Sequence, residues 1–180
     1  MEIETERLLL RRWRESDMKP FIRMNSDPEV MRFFPATMQP AQTERFYGDI
    51  LREFSEYGYG LYAAEEKCGG KFIGFIGFHR AEFESDFCPC TEISWRLDRE
   101  YWGKGYATEG AKACLEHGFE NFKFEEIFSF TSIRNIASQR VMEKIGMQFD
   151  RYFEHPAVPE GHPLKPHVCY SVKEQRIVTM

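Results

Sequence analysis

No stretch of the chain approaches the ~18 uninterrupted apolar residues that a membrane-spanning helix needs, so no span is expected. The N-terminus, MEIETERLLLRRW, lacks the charged-then-apolar layout of an export signal, and together these absences point to a cytoplasmic protein without a membrane partner. Positive charge is not in excess either. The 24 Lys plus Arg stand against 29 Asp plus Glu for a net charge of −5, which argues against a nucleic-acid partner gripped over a wide surface. The basic concentration at Arg7, Arg11, Arg12 and Arg14 reads as the solvated face of a strand edge. There is no repeat, low-complexity tract or linker rich in Gly, Ser or Pro, so residues 1–180 are expected to form a single domain. Five cysteines are too few and too oddly numbered for a disulfide framework, and they read as reduced thiols. Cys88-Pro89-Cys90 has one intervening residue, which is neither the two-residue redox spacing nor half of a zinc site.

What the chain does have is rings. Seventeen Phe, eight Tyr and three Trp require a packed core or an apolar cleft to absorb them. The pattern mixes strands and helices. Arg7 to Trp13 reads as a first strand, and Ser16 and Asp17 offer N-caps to a helix through Met24. Asp27-Pro28 begins another turn of helix, and a longer helix runs from about Pro40 to Tyr57, ended by Gly58 and Gly60. Tyr59 to Glu66 and Lys71 to Phe83 form a hairpin across Cys68-Gly69-Gly70, with the second strand apolar on both faces and therefore mid-sheet. Thr91 to Asp98 alternates strictly, placing Ile93, Trp95 and Leu97 on one face and Glu92, Ser94 and Arg96 on the other. An amphipathic helix starts at Ala107, a short strand covers Ile127 to Thr131, and a second helix runs from near Asn135 to Gly146. Met147 to His155 and Pro166 to Lys173 read as two strands around a Pro-rich loop.

Chemistry concentrates between the polar-faced strand and the amphipathic helix, at Tyr101-Trp102-Gly103-Lys104-Gly105-Tyr106-Ala107-Thr108. Strand, small-residue loop, helix is the order that presents free backbone N–H groups and a positive helix end to an anion. Thr108 stands where a dinucleotide fingerprint needs a third glycine, and the P-loop spacing is absent. A second helix opens with Asn135-Ile136-Ala137-Ser138, where Asn135 also suits an N-cap.

With Glu4-Thr5-Glu6-Arg7-Leu8 and Glu92-Ile93-Ser94-Trp95, these motifs resemble the GNAT superfamily of acyl-CoA-dependent N-acyltransferases, especially the branch containing the ribosomal-protein N-terminal acetyltransferases. The resemblance covers nearly the whole chain. It implies an α+β fold with a mostly antiparallel, twisted sheet of about seven strands flanked by helices on both faces. It implies acetyl-CoA as co-substrate and no metal. Leu97, Trp102, Gly103, Lys104, Gly105, Tyr106, Ala107, Thr108, Asn135 and Ser138 would bind it, the glycine loop around the pyrophosphate and the Asn–x–x–Ser helix along the pantetheine and thiol end. Many members carry Arg or Gln where Trp102 stands, although Trp is usual in this branch. Many also place a thiolate-protonating Tyr seven residues after the Asn, where this chain has Met142, which leaves Ser138 as the polar candidate in that segment.

Acetyl transfer needs a neutral amine, a polarised thioester carbonyl and a stabilised leaving thiolate. Glu92, on the polar strand face where the resembling family often keeps a general base, is expected to take the ammonium proton. A backbone N–H of the Ile93 to Leu97 strand is expected to receive the carbonyl oxygen. Direct transfer in a ternary complex is expected over a cysteine-bound intermediate, because Cys114 sits on an apolar helix stripe and Cys88 and Cys90 have no evident activating base. The loop from His155 to His167 is too irregularly spaced for a metal site, and by the resemblance it borders the acceptor pocket, where its histidines and Tyr170 shape amine recognition. The acceptor would be a primary amine, either a protein N-terminus or a small molecule, and the enzyme a monomer or homodimer. The rival reading is an acyl-CoA-binding module without catalysis.

Overall fold

In the computed structural model of the protein, which describes residues 2–174, eight strands form one continuous sheet. They are β1 (Ile3–Glu4), β2 (Leu8–Arg11), β3 (Leu61–Glu66), β4 (Lys71–Ala81), β5 (Cys90–Leu97), β6 (Glu126–Ser132), β7 (Gln148–Glu154) and β8 (Pro166–Lys173). Their spatial order is β1-β2-β3-β4-β5-β6-β8-β7, antiparallel throughout except between β5 and β6. The helices are α1 (Met18–Ser26), α2 (Pro40–Tyr57), α3 (Tyr106–His117) and α4 (Ile136–Lys144). No helix among the described residues is long and apolar enough to cross a membrane. The strand beyond the expected seven is β1, whose two residues are too few to carry a readable alternation.

The doubly apolar β4 lies mid-sheet, with α1 and α2 on one side of it and α3 on the other. Phe21 of α1 and Phe46 of α2 lie edge-on to Phe75, at ring distances of 6.1 and 5.8 Å. On the opposite face α3 rides so low that a Cβ on Gly110 would stand 2.4 Å from the Cδ1 of Ile76.

Two expectations near the N-terminus need correction. Asp17 stands at the N-cap of α1, but its side chain does not bond that helix: it accepts two bonds from Arg11 at 2.7 and 2.9 Å, and one from the Arg14 N–H at 2.8 Å that closes the short turn Glu15–Asp17 before it. A helix cap is worth ~1 kcal/mol, whereas an unpaired buried guanidinium costs several, so the ion pair takes the carboxylate. Of the basic cluster, Arg7, Arg12 and Arg14 are exposed as expected, and Arg11 is the exception. Arg11 is 2% exposed and also bonds Glu65, Arg14 shares that carboxylate, and Arg12 lies 3.9 Å over the Phe54 ring. The segment after Pro28 makes hydrogen-bonded turns, with the Met31 N–H donating to the Asp27 carbonyl at 3.0 Å, but it does not extend into a helix.

The feature that positions the site is the parallel pair. β5 and β6 register at Glu92 and Phe128, and then β5 runs on to Leu97 and β6 to Ser132 without a further pair among the described residues. Both strands lead into helices, α3 and α4, whose N-termini consequently stand at the same crevice. In open sheets the crevice beyond the carboxyl ends of parallel strands is where ligands bind.

Candidate active site

A cavity of about 780 Å³ opens at this split. Its floor at one end is the link from β5 to α3, fixed in place by the Trp102 indole, which donates to the Leu97 carbonyl at 2.8 Å. Gly103 and Gly105 follow at φ +73° and +83°, left-handed conformations that cost a residue with a Cβ roughly 1–2 kcal/mol. Gly105 is the N-cap of α3 and brings no side chain to bond its first turn. The N–H groups at that end, and the positive end of the helix dipole, are left for a ligand anion. A Cβ on Gly103 would meet nothing within 4 Å, so the loop surface is open to close approach. Leu97, Trp102, Gly103, Gly105, Tyr106, Ala107 and Thr108 all line the cavity. Lys104 does not, since its ammonium lies 5.1 Å over the Tyr101 ring and its carbonyl accepts from Arg7 at 2.9 Å.

That last bond is part of a clasp that no local pattern in the chain announces. Arg7 bonds Glu109 of α3 through Nε and Nη2, both at 2.6 Å, and its guanidinium covers the Tyr106 ring at 4.6 Å. The Thr5 hydroxyl donates to the same carboxylate at 2.6 Å, and the Tyr106 hydroxyl donates to Glu66. Burial raises the Glu109 pKa, but the bonds from Thr5 and Arg7 outweigh it and hold the carboxyl below its ordinary value. The signal available in the sequence was the Thr5/Arg7 pair at one end and Glu109 far along the chain, with nothing local to join them.

At the other helix, Asn135 is the N-cap, as its type suggested, and it does more than cap. Its Oδ1 accepts from the Ser138 N–H at 3.2 Å, while its Nδ2 donates to Thr131 Oγ1 and Ser138 Oγ, each at 3.0 Å. The Ser138 oxygen is thus held as an acceptor and its own proton is left to donate. Asn135, Ser138 and Thr131 line the cavity, and so does Met142, which is 1% exposed and offers no hydroxyl.

The polar face of β5 projects toward the α1 and α2 side of the sheet, where its partners on β4 are His79 opposite Glu92, Gly77 opposite Ser94 and Phe75 opposite Arg96. Glu92 is 9% exposed, and burial pushes its carboxyl up to about 7, with the His79 charge pulling down and Glu53 pushing up. His79 donates from Nδ1 to Glu53 at 2.6 Å. Burial alone would lower this histidine, but the Glu53 bond and the charges of Glu92 and Glu53 raise it overall. A cavity carboxyl whose proton is nearly balanced at neutral pH is matched to proton abstraction.

The last loop closes one side of the cavity. His155 and His167 line it with ring centroids 4.9 Å apart, and burial lowers both, His155 to about 4 with help from His167. Both rings are therefore neutral at pH 7. Tyr170 was expected among them and is not there: it does not line the cavity, and its hydroxyl donates to Glu143 at 3.3 Å. No cysteine lines the cavity among the described residues, and burial raises the Cys90 and Cys114 thiols and takes Cys169 up to about 12.

One cavity thus holds an uncapped helix end suited to an anion and a buried carboxyl suited to proton exchange, an arrangement compatible with a group-transfer enzyme. Comparison with known proteins agrees. Residues 7–148 match the acetyltransferase (GNAT) domain, and the chain belongs to that family of acyl-CoA-dependent N-acetyltransferases. It is 29% identical over 175 residues to the uncharacterized N-acetyltransferase YnaD of Bacillus subtilis, covering 97% of this chain and 98% of that one. A GNAT-family acetyltransferase structure from Bacillus anthracis superposes with a TM-score of 0.79 at 29% identity, over 96% of this chain and 98% of the other. The fold is shared with RimL, the ribosomal L7/L12 α-N-protein acetyltransferase solved in complex with coenzyme A, at a TM-score of 0.78 and 15% identity, over 96% of this chain and 98% of that one.

Proposed function

We propose that the chain moves an acetyl group from acetyl-CoA to a primary amine by direct transfer in a ternary complex. GNAT acetyltransferases use acetyl-CoA, and the residues present suit it. The uncapped N-terminus of α3 behind two left-handed glycines offers N–H groups for a pyrophosphate, so Trp102, Gly103, Lys104, Gly105, Tyr106, Ala107 and Thr108 would hold that part, mostly through backbone. Leu97, Asn135 and Ser138 would flank the pantetheine arm. When bound, the co-substrate supplies a thioester whose carbonyl carbon forms the new C–N bond as the C–S bond breaks.

The observation that carries this reading is Glu92, a buried carboxyl raised to about 7 within the cavity that the helix end also faces. Its role is to take the proton from the acceptor ammonium, whose ordinary pKa is ~7.7 for an α-amine and ~10.4 for a lysine. Ser138 donates its hydroxyl proton as a hydrogen bond to the departing sulfur, which replaces the function that Met142 lacks. A backbone N–H of β5 receives the carbonyl oxygen. The cysteines take no part, being absent from the cavity lining among the described residues. The setting is cytoplasmic, with the enzyme acting as a monomer or homodimer.

Thiol release from acetyl-CoA, measured against amino-terminal peptides, polyamines, amino acids and aminoglycosides, tests the reading. Intersecting initial-rate lines with an accepted amine are expected, and Cys-to-Ala variants should retain most activity. Parallel lines with a stable acetylated cysteine would overturn direct transfer. Acetyl-CoA binding without thiol release for any amine would favour the binding module that Met142 admits.

A further inference from the structure

Three candidates compete outside the groups already used: the His155/His167 ring pair, the Glu53–His79 ion pair, and Arg96. The first two are internally satisfied, each ring or charge facing a partner. Arg96 is not.

Its side chain leaves β5 on the same face as Glu92 and lines the same cavity, two residues beyond Ser94. Three rings hold the guanidinium in place, Phe34, Phe75 and Phe46 at 4.3, 5.3 and 5.8 Å from their centroids. Rings fix a cation but accept nothing from its N–H groups in the plane of the fork. Nη1 donates to Asn25 Oδ1 at 2.7 Å and lies 3.9 Å from the Met38 sulfur. Nε is buried and finds no acceptor. No carboxylate pairs with Arg96 among the described residues, whereas the buried Arg11 has two. Burial, with no opposing charge, pulls its pKa down to about 10. Across the whole cavity the lining carries Arg32, Arg96, Arg140 and Lys144 against the single carboxyl of Glu92.

With Nη1 occupied and Nε covered by protein, Nη2 is the guanidinium nitrogen left to meet a ligand, and its N–H groups carry an unopposed positive charge that suits a carboxylate oxygen. We infer that Arg96 receives a carboxylate of the acceptor, so that the amines acetylated here are carboxylate-bearing amines of the amino-acid type, anchored at Arg96 while the amine lies toward Glu92. This rests on the acetyltransferase reading above and narrows it. Glu92 and Arg96 are four residues apart on one strand, about 13 Å between Cα atoms. The distance between amine and carboxylate is therefore a selectable property of the substrate.

The test uses matched pairs, each a carboxylate and its amide: glycine and glycinamide, β-alanine and β-alaninamide, 4-aminobutyrate and 4-aminobutyramide. Thiol release from acetyl-CoA gives kcat/KM for each. The unmodified enzyme should favour the carboxylate in at least one pair by about 10- to 150-fold, the range that hydrogen bonds to a charged group supply. Amine pKa differs between members, so the decisive quantity is the change in that ratio on substitution. Arg96→Gln should bring it toward the ratio set by amine pKa alone, and Arg96→Lys, which keeps the charge but not the placement of the Nη2 donor, should fall between. If the variants fail to fold, the pairwise preference of the unmodified enzyme stands as the measurement. Thiol release at equal rates within every pair, or a ratio that survives Arg96→Gln, overturns the carboxylate assignment and leaves acetyl transfer intact. No thiol release with any amine overturns both.

Discussion

Glu92→Gln should make the protein slower and, at neutral pH, more stable. The carboxyl is raised from 4.5 to about 7 by burial, and each tenfold change in proton affinity is worth ~1.36 kcal/mol, so keeping Glu92 ionised in the folded state costs about 3 kcal/mol. The sign follows from proton binding. Between pH 4.5 and about 7 the folded protein holds a proton that the unfolded chain has released, so the contribution is favourable at low pH and is lost as pH rises through 7. Glutamine carries no such charge. Melting temperatures of the two proteins should converge near pH 5 and separate by pH 8, with the variant higher by roughly 6 to 12 °C at 2–4 °C per kcal/mol. That figure is a ceiling, because Glu92 also supports the protonated form of His79. Turnover should move the other way. It should fall by roughly 10²- to 10⁴-fold near neutrality, the amount general-base catalysis supplies, and recover in part as pH is raised and the amine loses its proton unaided. Stopped assays across pH 5.5 to about 9.5 and calorimetric scans over the same range measure both. Unchanged turnover with weaker acceptor binding would make Glu92 a recognition group. A melting difference identical at pH 5 and pH 8 would show that the carboxyl is not held near 7.

Acetyl-CoA at ~100-fold its dissociation constant should raise the melting temperature of the unmodified protein by roughly 5 to 11 °C, and Gly105→Val should abolish that rise, since a branched side chain at φ +83° both strains the cap and stands over the anion site; an unchanged shift would remove the loop from the binding site. Ser138→Ala should lower turnover less than Glu92→Gln and by a factor nearly flat with pH, because the departing sulfur needs its hydrogen bond at every pH; a deficit that disappears at high pH would reassign the serine to proton removal. Asp17→Ala should cost about 3 kcal/mol, the low end for breaking a buried pair because Glu65 still holds Arg11, and the loss in chemical denaturation should vary little with salt. A salt-sensitive loss below about 1 kcal/mol would mean the pair behaves as a surface bridge.

The parts of the site that were legible in the sequence are those whose reason is local. Gly103 and Gly105 announce themselves because the backbone there must turn left-handed before a helix, and that need involves no distant residue. Strict alternation from Thr91 to Asp98 sufficed to put Glu92, Ser94 and Arg96 on one face, and β4 meets them in that register. What failed depended on pairings across the chain. Asp17 looked like a cap until Arg11 claimed its carboxylate, and Arg7, exposed as expected, is also tied to Glu109, 102 residues away, beside the glycine loop. Tyr170 looked like a pocket residue although α4 supplies Glu143 to its hydroxyl.

Charge makes this failure systematic, because a charged side chain has the same local pattern whether it faces water, an opposite charge or an empty cavity. Arg11 and Arg96 each stand on a strand, and nothing near either one in the chain distinguishes them. Only the folded arrangement gives Arg11 two carboxylates and leaves the Arg96 Nε with none. Burial without a partner is costly, and in a core an ion pair or a repacked apolar group would remove the cost. At Arg96 the charge stays unopposed on a side chain that lines the cavity, so a carboxylate bound there supplies the ion pair that folding did not. Preference for a carboxylate over its amide should on this reasoning exceed what the same pair would show on the protein surface, where exposed ion pairs contribute roughly 0 to 1 kcal/mol, less than a factor of ten.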